Sequence, residues 1–112
     1  MKLGRTFYFD AAHHLPDYKG KCENLHGHTY RLDVIIESEI GKDGMILDFN
    51  ELKKTVETSV IEKLDHQDLN RIFKNPTAEN MAEWIFSQLK KKLPLSSVKL
   101  YEGRGKWVEK TR

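Results

Sequence analysis

His26-Gly27-His28-Thr29-Tyr30-Arg31-Leu32-Asp33-Val34-Ile35-Ile36-Glu37, continued to Glu39, is the stretch that decides how this chain folds. Its apolar residues alternate. Tyr30, Leu32, Val34 and Ile36 share one face and Arg31, Asp33 and Glu37 the other, which is a half-buried β-strand. The same parity runs back to His26 and His28, so both imidazoles continue the apolar side. Two residues apart on a strand, their Cα atoms lie roughly 6.5–7 Å from one another, and both rings can reach one ion. Gly27 leaves the opposite face open.

Upstream, Lys2 to Ala12 reads as a second strand, with Leu3, Arg5, Phe7, Phe9 and Ala11 on its mostly apolar side. That strand ends in Ala11-Ala12-His13-His14. Only His13 has the parity of Phe7, Phe9 and Ala11, so His13 rather than His14 joins the face of His26 and His28. Three neutral imidazoles gathered at one point suit Zn²⁺ with a fourth position open to water or substrate. The competing reading is ordinary polar residues at strand ends. Between the two strands lies a polar loop, Pro16 to Asn24, that carries Lys19, Lys21, Cys22 and Glu23.

Downstream, Gly41 to Gly44 is a turn. A helix follows with Asp48 as cap and Glu51 three residues on. Phe49, Leu52, Val56, Val60 and Leu64 form its expected buried stripe. Residues 65–76 connect to a second helix over about Thr77 to Leu93, with Thr77 as N-cap, Met81, Ile85, Leu89 and Leu93 on one face, and Pro94 as the stop. Val98–Glu102 and Lys106–Thr111 are two short strands joined at Gly103-Arg104-Gly105. The order β-β-α-α-β-β predicts an α+β fold: an antiparallel four-stranded sheet with two helices on one face, in one domain over residues 1–112.

Composition bounds the function. The 112 residues are 38% hydrophobic and 32% charged, with 19 Lys and Arg against 17 Asp and Glu and a net charge of +2. So even a balance disfavours a dedicated nucleic-acid binder. No apolar run approaches the roughly 18 residues of a membrane helix, and Met1 to Asp10 has no apolar core of a secretion signal. With one cysteine, Cys22, no disulfide forms within the chain. The expectation is a cytoplasmic protein, with no membrane or nucleic-acid partner and Cys22 free for chemistry.

Three further positions are candidates. Cys22 stands four residues before His26. It is a fourth zinc ligand, a nearby base or nucleophile, or a packed structural thiol. Asp65-His66 is a carboxylate–imidazole relay or a histidine at the negative end of a helix. Glu102 has the parity of Val98 and Leu100 and extends an apolar strand face. There it either meets a ligand with paired N–H groups, such as a 2-amino-4-oxo pyrimidine ring, or reaches solvent.

Six pieces in order carry a resemblance over nearly the whole chain: Phe9-Asp10-Ala11-Ala12-His13, Cys22-x-x-x-His26-Gly27-His28, Gly44-Met45-Ile46-Leu47-Asp48-Phe49, Leu64-Asp65-His66-x-x-Leu69-Asn70, Pro76-Thr77-Ala78-Glu79-Asn80 and Tyr101-Glu102. Together they resemble the 6-pyruvoyl-tetrahydropterin synthase and 6-carboxy-tetrahydropterin synthase family. The resemblance implies the tunnelling fold, with trimers around a continuous barrel, hexamers of two stacked trimers, and active sites at subunit junctions. It implies zinc on His13, His26 and His28, Cys22 as proton acceptor, Asp65-His66 as relay and Glu102 as anchor of the pterin ring. Thr77 joins Glu102 as a candidate substrate contact. The implied substrate is 7,8-dihydroneopterin triphosphate. The implied product is 6-carboxy-tetrahydropterin, on the path to queuosine and related deazapurines.

There are departures. His14 stands where family members often have Arg, and Gly103 where Thr usually follows the anchoring Glu. Glu23 matters most. A folate-linked branch carries Glu at that spacing in place of the Cys, and this chain has both, as Cys22-Glu23. That resembles members that also cleave the side chain to leave 6-hydroxymethyl-dihydropterin, which adds Glu23 to the candidate catalytic residues. A 6-pyruvoyl product is a further alternative. The rival of another class is a non-catalytic zinc module in which Cys22 closes a Cys-His₃ site.

Overall fold

A twelve-residue alternation of apolar and polar side chains is long enough to cross a whole domain, and the chain opens with two of them. In the computed structural model, which describes residues 1–16 and 24–112, β1 (Lys2–His13) and β2 (His26–Glu37) pair antiparallel in one register, from Lys2 opposite Glu37 to His13 opposite His26. Phe7, Phe9 and Ala11 of β1 and Tyr30, Leu32, Val34 and Ile36 of β2 are buried on the same side. Phe9 stacks on Tyr30 with ring centroids 4.9 Å apart.

The helical segment that covers this face is built in three pieces: α1 (Phe49–Val56), a π-helical turn (Glu57–Ile61) and α2 (Glu62–Leu64). The Thr58 hydroxyl bonds back to the Lys54 carbonyl at 2.6 Å, the kind of competition that loosens a helical ladder. Leu52, Val56, Val60 and Leu64 are fully buried. Phe49, expected on that stripe, is 55% exposed. It is the first residue of α1 and lies beyond the part of the helix that packs. Asp48 caps the helix by accepting from the Asn50 N–H at 2.6 Å. Asp48→Ala should therefore cost about 1 kcal/mol of stability, read as a lower urea midpoint at unchanged slope.

α3 (Ala78–Leu89) is capped by the Thr77 hydroxyl, which accepts from the Asn80 N–H. It ends four residues earlier than the apolar pattern suggests. Leu93 is still buried, carried by the turn after α3 rather than by the helix. β4 (Leu95–Glu102) returns beside β2, with a register shift at Ile35/Ile36, and β5 (Trp107–Thr111) pairs with β4.

Among the described residues the sheet has five strands, in the order β3-β1-β2-β4-β5. The fifth was not expected. β3 (Gln67–Asp68) is two residues long and runs parallel to β1, opposite Ala11 and Ala12. The sheet is thus mixed rather than purely antiparallel. Two residues are too short to show alternation, so β3 had no sequence signal. Its effect is to bring the chain just after α2 alongside the end of β1 that carries the histidines. Among the described residues, no helix is long and apolar enough to cross a membrane.

Candidate active site

The ends of β1 and β2 bring His13, His26 and His28 together, and one ligand atom from each lies within 4.8 Å of the other two. The rings meet edge to face, with centroids 4.7 to 5.0 Å apart. His13 is 1% exposed. Its Nδ1 lies 2.8 Å from the Pro76 carbonyl, and the His26 Nδ1 lies 2.7 Å from the Asn24 carbonyl. A carbonyl only accepts, so each Nδ1 carries the proton and each Nε2 is left with a free lone pair. The Nε2 atoms of His13 and His28 are buried and have no hydrogen-bond partner. Such groups are costly unless something fills them. Burial holds His28 below its ordinary pKa of 6.5, against the opposing pull of Glu102, with His13 and His26 adding to the depression. A neutral imidazole is the form a metal needs. Donor set, tautomers and orphaned nitrogens all fit a transition-metal ion.

His14 turns elsewhere. Its backbone N–H donates to Asn70 Oδ1 at 2.9 Å, and Asn70 Nδ2 returns a bond to its carbonyl at 3.0 Å. Glu102, at the end of β4 opposite Tyr30, faces the histidines, with Oε1 3.2 Å from His28 Nε2 and 3.9 Å from His13 Nε2. Neither contact has hydrogen-bond geometry. Tyr30 lies beneath, its hydroxyl 3.4 Å from His13 Nδ1. Burial, and after it Glu102, pushes the Tyr30 pKa up, so the phenol stays protonated.

A second cluster joins Asp65, His66 and Asp10. Asp65 Oδ1 accepts from the Asp10 N–H at 3.0 Å, and Asp65 Oδ2 lies 3.0 Å from His66 Nδ1. The Asp10 N–H bond is the main cause that lowers the Asp65 pKa; burial opposes it and His66 adds to it. The carboxylate is thus kept ionised as a fixed acceptor for the His66 ring. His66 has a positive φ of 59° and donates its backbone N–H to the Asp10 carbonyl at 2.6 Å. Asp10 is the residue that sequence reasoning missed as a member of a site. It sits in the quoted Phe9-to-His13 piece, but on the polar side of β1, where a carboxylate looks like ordinary surface. Its carboxylate accepts a short bond from the Thr29 hydroxyl on the same face of the sheet. The two clusters occupy opposite sides of one strand end: histidines on the helix-covered face, Asp10 with Asp65 and His66 on the other face and at the outer edge of β1. A hollow of about 540 Å³ opens there, lined in part by Asp10, Gly27, Thr29 and His66.

Of the remaining candidates, Thr77 is engaged as the cap of α3, and Cys22, Glu23, Lys19 and Lys21 lie outside the described residues. Arg31, on the polar face of β2, forms a two-point pair with Asp33 at 3.0 and 3.1 Å.

The sequence model of the family described as 6-pyruvoyl tetrahydropterin synthase matches residues 2–112. The chain belongs to that family. It is similar to the dihydroneopterin monophosphate aldolase of Pyrococcus furiosus, 46% identical over 90% of this chain and 89% of that protein. It is also similar to the 6-carboxy-5,6,7,8-tetrahydropterin synthase of Haemophilus influenzae, 37% identical over 91% and 92%. Among solved structures, the 6-pyruvoyl tetrahydropterin synthase of Caenorhabditis elegans superposes with a TM-score of 0.90 at 29% identity, covering 100% of this chain and 95% of that one. The α+β fold is the one these synthases share, and this chain is an enzyme of the pterin synthase and lyase class.

Proposed function

We propose that this chain is a zinc-dependent lyase that converts 7,8-dihydroneopterin triphosphate to 6-carboxy-tetrahydropterin. The observation that carries the reading is the pair of buried, partnerless Nε2 atoms on His13 and His28, aimed at one point beside the Glu102 carboxylate. When bound, zinc supplies a Lewis acid that polarises the hydroxyl groups of the substrate side chain. The protein does the rest. Glu102 accepts the paired N–H groups of the pterin ring and fixes its orientation. Cys22 takes a proton from the side chain, its thiolate favoured by Lys19, Lys21 and the nearby cation. His66, steered through Nδ1 by Asp65, offers Nε2 as the partner acid or base.

Because the clusters face opposite sides of β1, one substrate meets both when a second copy presents its Asp65–His66 pair to the histidines of the first. A homo-oligomer, a trimer or a hexamer of two trimers, supplies that arrangement.

A second reading is favoured by two observations: the aldolase name of the Pyrococcus furiosus relative and the adjacent Cys22-Glu23 pair. Here the bond between the first two side-chain carbons breaks. The proton leaves the hydroxyl of the second carbon, whose oxygen becomes the carbonyl of a departing phosphorylated aldehyde; the pair of the broken carbon–carbon bond moves toward the ring, and a proton returns to the first carbon. The ring keeps a hydroxymethyl group.

Product analysis by mass separates the readings. Zinc-loaded protein with dihydroneopterin triphosphate should give mainly the carboxy product, with a share of 6-hydroxymethyl-dihydropterin. Cys22→Ala should shift the ratio toward hydroxymethyl and Glu23→Ala away from it. A ratio indifferent to Glu23 leaves a single-product synthase. No turnover of either the triphosphate or the monophosphate with zinc in place would instead favour a non-catalytic zinc module.

A further inference from the structure

Asp10 is bonded twice to the Asp65–His66 pair through its main chain. Its N–H donates to Asp65 Oδ1 at 3.0 Å, and its carbonyl accepts the His66 N–H at 2.6 Å. A residue of any ordinary type at position 10 keeps both bonds, so neither explains the side chain. The carboxylate has partners of its own. Oδ1 accepts a short bond from the hydroxyl of Thr29, the residue directly opposite on β2. Thr29 is braced in turn from β4, its carbonyl accepting the Gly103 N–H at 3.2 Å. Fixed in this way, the carboxylate stays with the pair: one ligand atom from each of Asp10, Asp65 and His66 lies within 4.8 Å of the other two. Two carboxylates at that range repel one another unless a cation stands with them. The His66 ring is that cation whenever it takes up a proton.

We propose that Asp10 is a positioning residue for the reaction and acts through His66: its carboxylate, fixed by Thr29, is a second anion beside the relay and stabilises the ring while it carries a proton. The inference rests on the relay role proposed above. Asp65 meets the ring at Nδ1 and orients it; Asp10 adds negative charge from the neighbouring strand. In a lone chain the His66 side chain is 78% exposed, and water screens that charge. A second copy laid over the cluster expels the water, and the same charge then acts more strongly on the ring. An acidic residue on the open face of β1 is thereby part of what one copy presents to the metal centre of the next.

Asp10→Asn isolates the charge, because it keeps the side-chain volume, both main-chain bonds and an acceptor oxygen for Thr29. In the zinc-loaded full chain, with dihydroneopterin triphosphate as substrate, it should lower kcat about tenfold, less than the loss of the acid or base itself. KM and zinc content should not change. Asp10→Glu, which returns the charge on a longer arm, should recover most of the rate. The deciding measurement is the double variant. In a His66→Asn background, Asp10→Asn should cost nothing further, since a residue that acts through the ring has nothing to act on once the ring is gone. A wild-type kcat in Asp10→Asn, or the same loss with and without His66, would overturn the inference and leave the relay standing. So would a loss of zinc or a raised KM in Asp10→Asn, or an Asp10→Glu chain as slow as the asparagine variant. A wild-type kcat in His66→Asn, or a wild-type chain without turnover, would remove the relay reading and this inference with it.

Discussion

Replacing His13 by alanine is expected to empty the metal site and abolish turnover, while replacing His14 by alanine leaves both intact. His13 is the most buried of the three clustered histidines, and its ring is held from behind by the Pro76 carbonyl. Removing it takes away one of three imidazole donors. Metal affinity should fall by more than about 100-fold, the upper range for losing a mere outer partner. The Pro76 carbonyl also loses its donor, which should cost about 1–3 kcal/mol in the metal-free protein. His14 contributes through its backbone N–H and carbonyl, both tied to Asn70, and alanine keeps those bonds. Metal content by atomic emission and a denaturant titration of each variant decide the matter. A metal-free His14→Ala protein beside a loaded His13→Ala protein would invert the assignment.

The second large effect is expected at His66. His66→Asn should lower kcat by about 10²–10⁴-fold, the usual contribution of a positioned acid or base, with metal content unchanged. Asparagine is the informative replacement because the residue has a φ of 59°. Asn enters the left-handed region more readily than most residues, whereas alanine would add backbone strain to the loss of the imidazole. Asp65→Asn should act in the same direction. It keeps an acceptor oxygen for one of its two partners, the Asp10 N–H or His66 Nδ1, but withdraws the charge that stabilises a protonated ring. A wild-type kcat in His66→Asn would remove the relay from the reaction.

What was legible in the sequence was whatever alternation and parity control. β1 and β2 are regular to their last residue, so parity alone separates His13 from His14 and puts Glu102 on the side of His28. The illegible parts are set by contacts between distant segments. β3 consists of Gln67 and Asp68, and only the edge of β1 makes it a strand. Asp10 enters a cluster through its backbone N–H and a surface carboxylate, neither of which leaves a pattern. Phe49 fits the helical period but precedes the packed turns of α1, and Leu93 is buried although α3 has already ended. Periodicity reports which side chains share a face; it does not report where the neighbouring layer stops.

Two of the three clustered imidazoles are oriented by main-chain carbonyls, those of Pro76 and Asn24. A carbonyl belongs to every residue, so the outer support of the site is indifferent to the identity of the side chain at either position. Substitutions can accumulate there without turning a histidine, provided the chain follows the same path. The vulnerable changes are insertions and deletions: one residue gained before Thr77, or between Asn24 and His26, would carry the carbonyl out of reach. The geometry of the site is therefore inherited through loop length rather than through residue type.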